Sequence, residues 1–282
     1  MRTSEGGRRA AVLGSPIGHS LSPVLHGAAY ESLGLTGWAY TAVEMDEAGF
    51  PAWFAGLGPE WAGLSLTMPL KRVVIPLLAS VTPTADVVGA VNTVTWTSEG
   101  APVGANTDVH GIVQALRSTG LSKAPVGCVV GAGATAASAV AALAEMGCEH
   151  VIVQARTAAR AGLPLEVAEK LGVAARVAPL DDHAAVLSAD AVIVTLPGDA
   201  AGTWAGGLRE SVAGPPAGSL LDVSYHPWPT QAAQWWSSAG GAAVGGFEML
   251  LHQAAEQVRL MTGRSAPVED MRVAGEKALA SR

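Results

Sequence analysis

The chain has 282 residues, which at the usual ~150 residues per domain suggests two domains. Lys+Arg 17 against Asp+Glu 24 leaves a net charge of −7, which excludes a broad surface for a nucleic-acid backbone. With 49% hydrophobic and 15% charged residues, disorder is excluded as the main state.

The first third alternates short strands and helices. Residues 11–17 read as a strand and 23–33 as a helix, with Ser22 as N-cap and Pro23 at the first helical position. A strand is expected at 38–45, a helix at 46–56, a strand at 62–66 and a helix at 69–79 that opens on Pro69. Residues 87–97 and 102–106 read as β segments around the turn Ser98-Glu99-Gly100.

A second series follows: helix 111–118, connector 118–125, strand 126–130, helix 135–146 and strand 150–155. Residues 166–171 read as helical, 176–179 as β-like, 191–196 and 219–223 as buried strands, and 247–262 as the last helix. This alternation predicts a parallel, doubly wound sheet. The uncharged stretch between Lys123 and Glu145 is long enough for a membrane span. Its central Gly131-Ala132-Gly133 makes it instead a strand, a turn and a helix. Arg8-Arg9 precedes too short an apolar run for a secretory signal. Cys128 and Cys148 sit beside apolar runs and read as small buried hydrophobes in a reducing compartment. The seven histidines lack ligand spacing, so no metal is expected. A cytoplasmic protein without nucleic-acid or membrane partners is the expectation.

Gly131-Ala132-Gly133-Ala134-Thr135-Ala136 fits G-x-G-x-x-[G/A] between an expected strand and helix. In this motif Gly131 permits the tight turn, Gly133 lets the backbone approach a pyrophosphate, and Ala136 allows close packing. The helix N-terminus then offers N–H groups to phosphates. The next strand ends in Gln154-Ala155-Arg156-Thr157-Ala158-Ala159-Arg160. An enzyme that uses NAD tends to carry an acid there. Arg156 can instead hold a 2′-phosphate with two donors, and Thr157 can add a hydroxyl. Arg160 adds a second positive charge or is a solvated helix-start charge. NADP is the expected cofactor. Ala134, Thr195, Leu196 and Gly246 complete the expected cofactor-binding set.

Segments rich in hydroxyls and amides frame this motif, and they suit a polyhydroxylated carboxylate. Ser20 and Ser22 lie at a helix start, where a carboxylate is favoured, and Ser22 can cap that helix as well. Lys71 lies in the first turn after Pro69, where the positive helix end disfavours an ammonium and readies the amine for proton exchange. Asp108 either caps the next helix or, set against Lys71, shares the proton transfer.

These segments resemble the shikimate dehydrogenase family nearly end to end, from Ser20-Leu21-Ser22-Pro23 through Thr67-Met68-Pro69-Leu70-Lys71, Asn92 and Asn106-Thr107-Asp108 to Gln253. The resemblance implies that Ser20, Ser22 and Thr67 contact the substrate carboxylate and hydroxyls, and that Asn92 and Gln253 bind its hydroxyls. It implies that Tyr225 lines the same cleft and that Lys71 and Asp108 form the catalytic pair. It further implies an α/β chain of two domains facing an interdomain cleft. One is a mixed α/β substrate domain at 1–109, completed by helices at 246–282. The other is a Rossmann-like NADP-binding domain at 110–245. The implied reaction is reversible NADPH-dependent reduction of 3-dehydroshikimate to shikimate, by a monomer or homodimer. The alternatives are a quinate/shikimate dehydrogenase of broader specificity and a catalytically silent NADP-binding regulator. Ser65, Ala155 and Ala134 depart from the family pattern, which more often has Asn, Asn and Gly there.

Overall fold

The computed structural model describes residues 7–211 and 215–282, and the elements named below belong to them. The chain divides into two compact units. The first comprises the described residues up to Asp86, Ala90–Thr107 and Leu251–Arg282; the second comprises Val87–Gly89 and Asp108–Leu250.

The opening elements are β1 (Arg9–Gly14), α1 (Ser22–Ser32), β2 (Ala39–Glu44), α2 (Phe50–Ala55), β3 (Trp61–Leu66), α3 (Leu70–Val73), β4 (Ser80–Val81), α4 (Pro83–Val88), β5 (Thr93–Trp96) and β6 (Pro102–Ala105). Their sheet runs β2-β1-β3-β5-β6-β4. It is mixed: β1 pairs parallel with β2 and β3, whereas β5 pairs antiparallel with β3 and β6. Every residue of β3 is buried, as is all of β1 after Arg9, so neither strand alternates between a buried and an exposed face. Phe50, Trp61, Leu64, Leu66, Leu70 and Val74 lie in the core of this unit.

Three local expectations are corrected. Ser22 is the first residue of α1 and not its N-cap; Leu21 holds that position without a side-chain bond, and Ser20 Oγ accepts the Ser22 N–H at 3.2 Å. The helix expected at 69–79 closes after four residues and gives way to a 3₁₀ turn at Ile75–Leu77 and to β4. Pro76 lacks the amide that would continue it, and Val73-Val74-Ile75 is a β-branched run. The β segment expected from 87 begins in fact as α4. Thr82 Oγ1 accepts the Ala85 N–H at 3.4 Å and Pro83 opens the turn. Gly89, at φ +67°, ends it.

The second unit carries α5 (Asp108–Ser118), β7 (Val126–Val130), α6 (Ala134–Glu145), β8 (His150–Gln154), α7 (Gly162–Leu171), β9 (Ala174–Ala178), α8 (His183–Leu187), β10 (Ala191–Val194), α9 (Gly198–Ser211), β11 (Ser219–Asp222), α10 (Gln231–Ser238) and β12 (Ala242–Gly245). Its sheet runs β12-β11-β10-β7-β8-β9, and every pair is parallel. The first strand therefore sits in the middle with the chain winding out to both sides, the doubly wound order of dinucleotide-binding domains. The switch point of this order lies beyond the C-terminal ends of β7 and β10.

The packing suits small side chains. All of α6 from Ala136 to Leu143 is buried, and a Cβ on Gly127 of β7 would stand 2.5 Å from Leu143 Cδ1, so the helix lies close on the strand. Trp236 is fully buried and donates from Nε1 to Gly218 O at 3.0 Å, while Trp235 is half-buried beside it. Both cysteines are buried and free. Burial pushes the Cys128 thiol up to about 12, so it packs as a neutral hydrophobe.

The chain then runs through α11 (Gly246–Thr262) and α12 (Val268–Ala280). From Leu251 onward these belong to the first unit. Among the described residues no helix is long and apolar enough to cross a membrane. The uncharged stretch before Glu145 is β7, a glycine turn and α6.

Candidate functional site

In the first unit the loop between β1 and α1 brings Ser20 and Ser22 to the helix start. Glu44 at the end of β2 anchors this loop, accepting the Ser15 hydroxyl at 2.5 Å and the Ile17 N–H at 2.9 Å. Those bonds, the Ser15 hydroxyl foremost, hold the Glu44 carboxyl below the usual carboxylate range. Ser20 is half-buried and Ser22 buried. Thr67 follows β3. Its N–H reaches Leu13 O at 2.9 Å and its carbonyl accepts the Leu70 N–H at 2.8 Å, so one residue closes the strand and opens α3. Gly14 leaves room for it, since a Cβ there would overlap the Thr67 methyl.

Asn92, Thr107 and Gln253 form a buried polar cluster. Asn92 Oδ1 accepts the Thr107 N–H and the Thr93 hydroxyl, both at 2.8 Å. A backbone N–H can only donate, so the amide's orientation is settled. Asn92 Nδ2 then donates to Thr107 Oγ1 at 3.0 Å and to Gln253 Oε1 at 3.4 Å. Two amides and two hydroxyls therefore share one desolvated patch, with donors and acceptors matched.

Behind this cluster lie groups that no sequence motif singles out. Gln257 is one helical turn beyond Gln253 on α11, and His26 one turn beyond Ser22 on α1. The spacing of four residues along each helix was the available signal. His26 Nε2 lies 3.3 Å from Gln257 Oε1, and its ring stacks on Tyr40 at 3.9 Å between centroids. Burial pulls the His26 pKa down to about 3, so the ring is neutral. Tyr40 donates to Ser65 Oγ at 2.6 Å, and Ser65 donates to Gln257 Oε1 at 2.9 Å. Burial raises the Tyr40 phenol further above its ordinary value, and Ser22 hydrogen-bonds it as well.

Lys71 is half-buried in α3, and its carbonyl accepts the Val91 N–H at 2.8 Å, which ties α3 to the segment that holds Asn92. A helix of four residues is too short for the macrodipole expected at Lys71. Asp108 is buried and opens α5, which starts three residues earlier than expected, in the second unit. Its carboxylate lies inside the first turn instead of capping from outside. Tyr225 is half-buried in the loop after β11. That loop is held by Asp222, whose carboxylate accepts the Ser224 N–H at 3.0 Å and the Thr230 hydroxyl at 2.8 Å.

The second unit builds the nucleotide motif at the switch point. Gly131 follows β7 at φ +123°, and a Cβ there would overlap the Thr195 hydroxyl. Its N–H bonds Gln154 O at 2.9 Å, and Thr195 donates from N and Oγ1 to Val130 O at 2.8 and 3.1 Å. The ends of β7, β8 and β10 are thereby knitted together, with Leu196 following half-buried. Gly133 is the extended N-cap of α6, and a Cβ there would meet nothing within 4 Å, so the backbone is open to approach. Ala134 starts α6, and Ala136 is fully buried. Arg156, Thr157 and Arg160 are exposed after β8, with no carboxylate between Gln154 and Arg160. Gln154 anchors this loop from below, accepting Trp204 Nε1–H at 3.2 Å and donating to Asp182 O at 2.8 Å. Gly246 is buried and donates to Ser224 O at 3.0 Å; a Cβ there would overlap the Val223 carbonyl. An open glycine backbone at a helix start and a cationic loop without an acid fit a dinucleotide with a 2′-phosphate.

Comparison with known proteins agrees. Residues 12–94 match the family model of the shikimate dehydrogenase substrate binding domain. Residues 114–200 match that of shikimate / quinate 5-dehydrogenase, and 246–274 that of the shikimate 5'-dehydrogenase C-terminal domain. The NADP(+) shikimate dehydrogenase of Oleidesulfovibrio alaskensis is 37% identical over 275 residues, covering 96% of this chain and 95% of its own. The crystal structure of a shikimate 5-dehydrogenase from Mycobacterium fortuitum is 41% identical, with a TM-score of 0.84 over 97% of this chain and 99% of its own. That from Thermus thermophilus, in complex with NADP(H) and shikimate, is 33% identical, with a TM-score of 0.80 over 96% and 100%. With both its substrate-side and nucleotide-side segments matched in this way, the chain belongs to the shikimate dehydrogenase family.

Proposed function

We propose that residues 1–109, completed by 246–282, bind 3-dehydroshikimate or shikimate, and that residues 110–245 bind NADP. The enzyme is an NADP-dependent oxidoreductase acting on the CH–OH group of shikimate. The observation that carries the substrate assignment is the buried Asn92–Thr107–Gln253 cluster. An oriented, desolvated pair of amides discriminates for ligand hydroxyls, because only a ligand that offers hydroxyls can replace the bonds those amides otherwise make to each other and to Thr107.

In this reading Ser20, Ser22 and Thr67 receive the carboxylate and Asn92 and Gln253 the ring hydroxyls, with Tyr225 lining the same site. Gly131, Gly133, Ala134 and Ala136 let the α6 terminus meet the pyrophosphate. Arg156, Thr157 and Arg160 take the 2′-phosphate, and Thr195, Leu196 and Gly246 border the nucleotide. When bound, the dinucleotide supplies or accepts the hydride. Lys71 Nζ gives a proton to the carbonyl oxygen, or takes it from the alcohol, and Asp108 holds the amine in place and shares that proton. The enzyme is cytoplasmic, works as a monomer or homodimer, and engages neither nucleic acid nor membrane.

One assay tests the reading. Purified protein is given shikimate or quinate with NADP+ or NAD+, and nicotinamide reduction is followed. Turnover with shikimate and NADP+ is expected. Comparable turnover with quinate would favour the broader quinate/shikimate dehydrogenase. No turnover with any pair, in protein that still binds NADP+, would favour the silent regulator.

A further inference from the structure

We propose that Gln257 is a positioning residue for substrate binding, an amide that joins the carboxylate-binding and hydroxyl-binding ends of the site. The inference rests on the substrate site proposed above. Gln257 is 1% exposed, and all of its hydrogen-bonding capacity is engaged. Nε2 donates to Thr93 Oγ1 at 3.0 Å and to Asn92 O at 3.4 Å. Oε1 accepts from Ser65 at 2.9 Å and faces His26 Nε2 at 3.3 Å. A carbonyl such as Asn92 O only accepts, so the amide has one orientation.

Each side of that amide leads to a different part of the site. On one side Thr93 passes its own hydroxyl hydrogen to Asn92 Oδ1 at 2.8 Å. That bond helps keep Asn92 Nδ2 turned toward Gln253. On the other side Ser65 accepts from Tyr40, which hydrogen-bonds Ser22. Gln257 touches none of the residues assigned to the substrate through its side chain except by way of Thr93, Ser65 and the Asn92 main chain. It therefore sets the orientation of substrate-binding groups and their spacing, without contacting substrate itself.

The test is Gln257→Met, which keeps the length and removes all four polar contacts, compared with Thr93→Val, which removes the hydroxyl that links Gln257 to Asn92 together with its 3.4 Å contact to Thr107 Oγ1. Shikimate affinity is measured by calorimetry on the full chain, and KM and kcat are measured with NADP+. Each variant is expected to weaken shikimate binding about tenfold, the size of one well-made buried hydrogen bond. KM for NADP+ should stay within about twofold and kcat should change less than KM for shikimate. The double variant should be little worse than Gln257→Met alone, because both act along one chain of bonds. Thr93→Ser, which restores the hydroxyl, should recover wild-type affinity. Unchanged shikimate affinity in either folded variant, or fully additive losses, would overturn the proposal. Should Gln257→Met fail to fold, the Thr93→Val and Thr93→Ser pair decides alone. A wild-type protein that does not bind shikimate would instead overturn the proposed function, before any variant is made.

Discussion

His26 makes stability depend on pH in a way that can be worked out in advance. Its pKa falls from the ordinary 6.5 to about 3 because its ring is fully buried, and the bond with Gln257 offsets only part of that. The unfolded chain therefore takes up a proton below about pH 6.5 that the folded chain refuses until near pH 3. Since the folded value is the depressed one, its stability contribution is intact above pH 6.5. It is lost progressively as pH falls toward 3, at up to ~1.4 kcal/mol per pH unit. Between pH 7 and pH 5 this amounts to about 2 kcal/mol. Other groups titrate in the same range, so the comparison is with His26→Gln, which has no such proton. Urea unfolding of both proteins at pH 7, 6 and 5 gives the difference directly. The stability of wild type relative to the variant should fall by about 2 kcal/mol from pH 7 to pH 5. A difference that stays constant across that range would show that the ring titrates normally, and the buried, neutral His26 behind the substrate cluster would be wrong.

Other outcomes follow from the proposed roles. Lys71→Ala should lower kcat by roughly 10²–10⁴-fold, the span of acid–base assistance, while the dissociation constant for NADPH measured by fluorescence is retained; wild-type turnover would remove Lys71 from the chemistry. Arg156→Gln should cut the preference for NADP+ over NAD+, as a ratio of kcat/KM, by about 10–100-fold, because at least one charge-assisted bond to the 2′-phosphate is lost. Gly246→Ala would force a Cβ into the Val223 carbonyl and should cost at least ~1–3 kcal/mol of stability, seen as a lowered Tm.

The half proposed to bind the nucleotide was the more legible in the sequence. Its central strands β7 and β10 are buried and so appear as unbroken apolar runs, and the glycine motif sits after the first of them, with Gly131 at positive φ against Thr195 and Gly133 at an open helix start. Local chemistry dictates those residues, and local chemistry is visible in one dimension. The segment 69–88 was less legible. There Pro76 and the valines interrupt the pattern, and α4 is set by the Thr82 hydroxyl, Pro83 and Gly89 while its valines suggested a strand. Of the polar cluster, Asn92, Thr107 and Gln253 could be found only through resemblance or neighbouring motifs, since the bonds among them span 15 to 161 positions. Gln257 and His26 lie one turn from residues already named, but helix spacing alone does not tell a buried amide from an exposed one.

The two halves handle polarity in opposite ways, and the chemistry of the ligands proposed for them gives a reason. A phosphorylated dinucleotide brings formal charge, so exposed Arg156 and Arg160 and open backbone N–H groups can meet it with little prior desolvation. A hydroxylated ring offers only neutral donors and acceptors apart from its carboxylate. Discrimination among such rings requires partners that are already stripped of water and already oriented. That is the condition of Asn92, with its Oδ1 committed to a main-chain N–H and its Nδ2 held toward Thr107 and Gln253. The departure at position 65 fits the same logic. A serine offers one donor and one ready acceptor, and here both are used, toward Gln257 and from Tyr40. Where the family more often carries an asparagine, the shorter side chain is compensated by a phenol and an amide that reach it from either side. The polar layer beneath the site is therefore closed without unpaired buried groups at Ser65, and the residues proposed to touch substrate rest on a fixed floor.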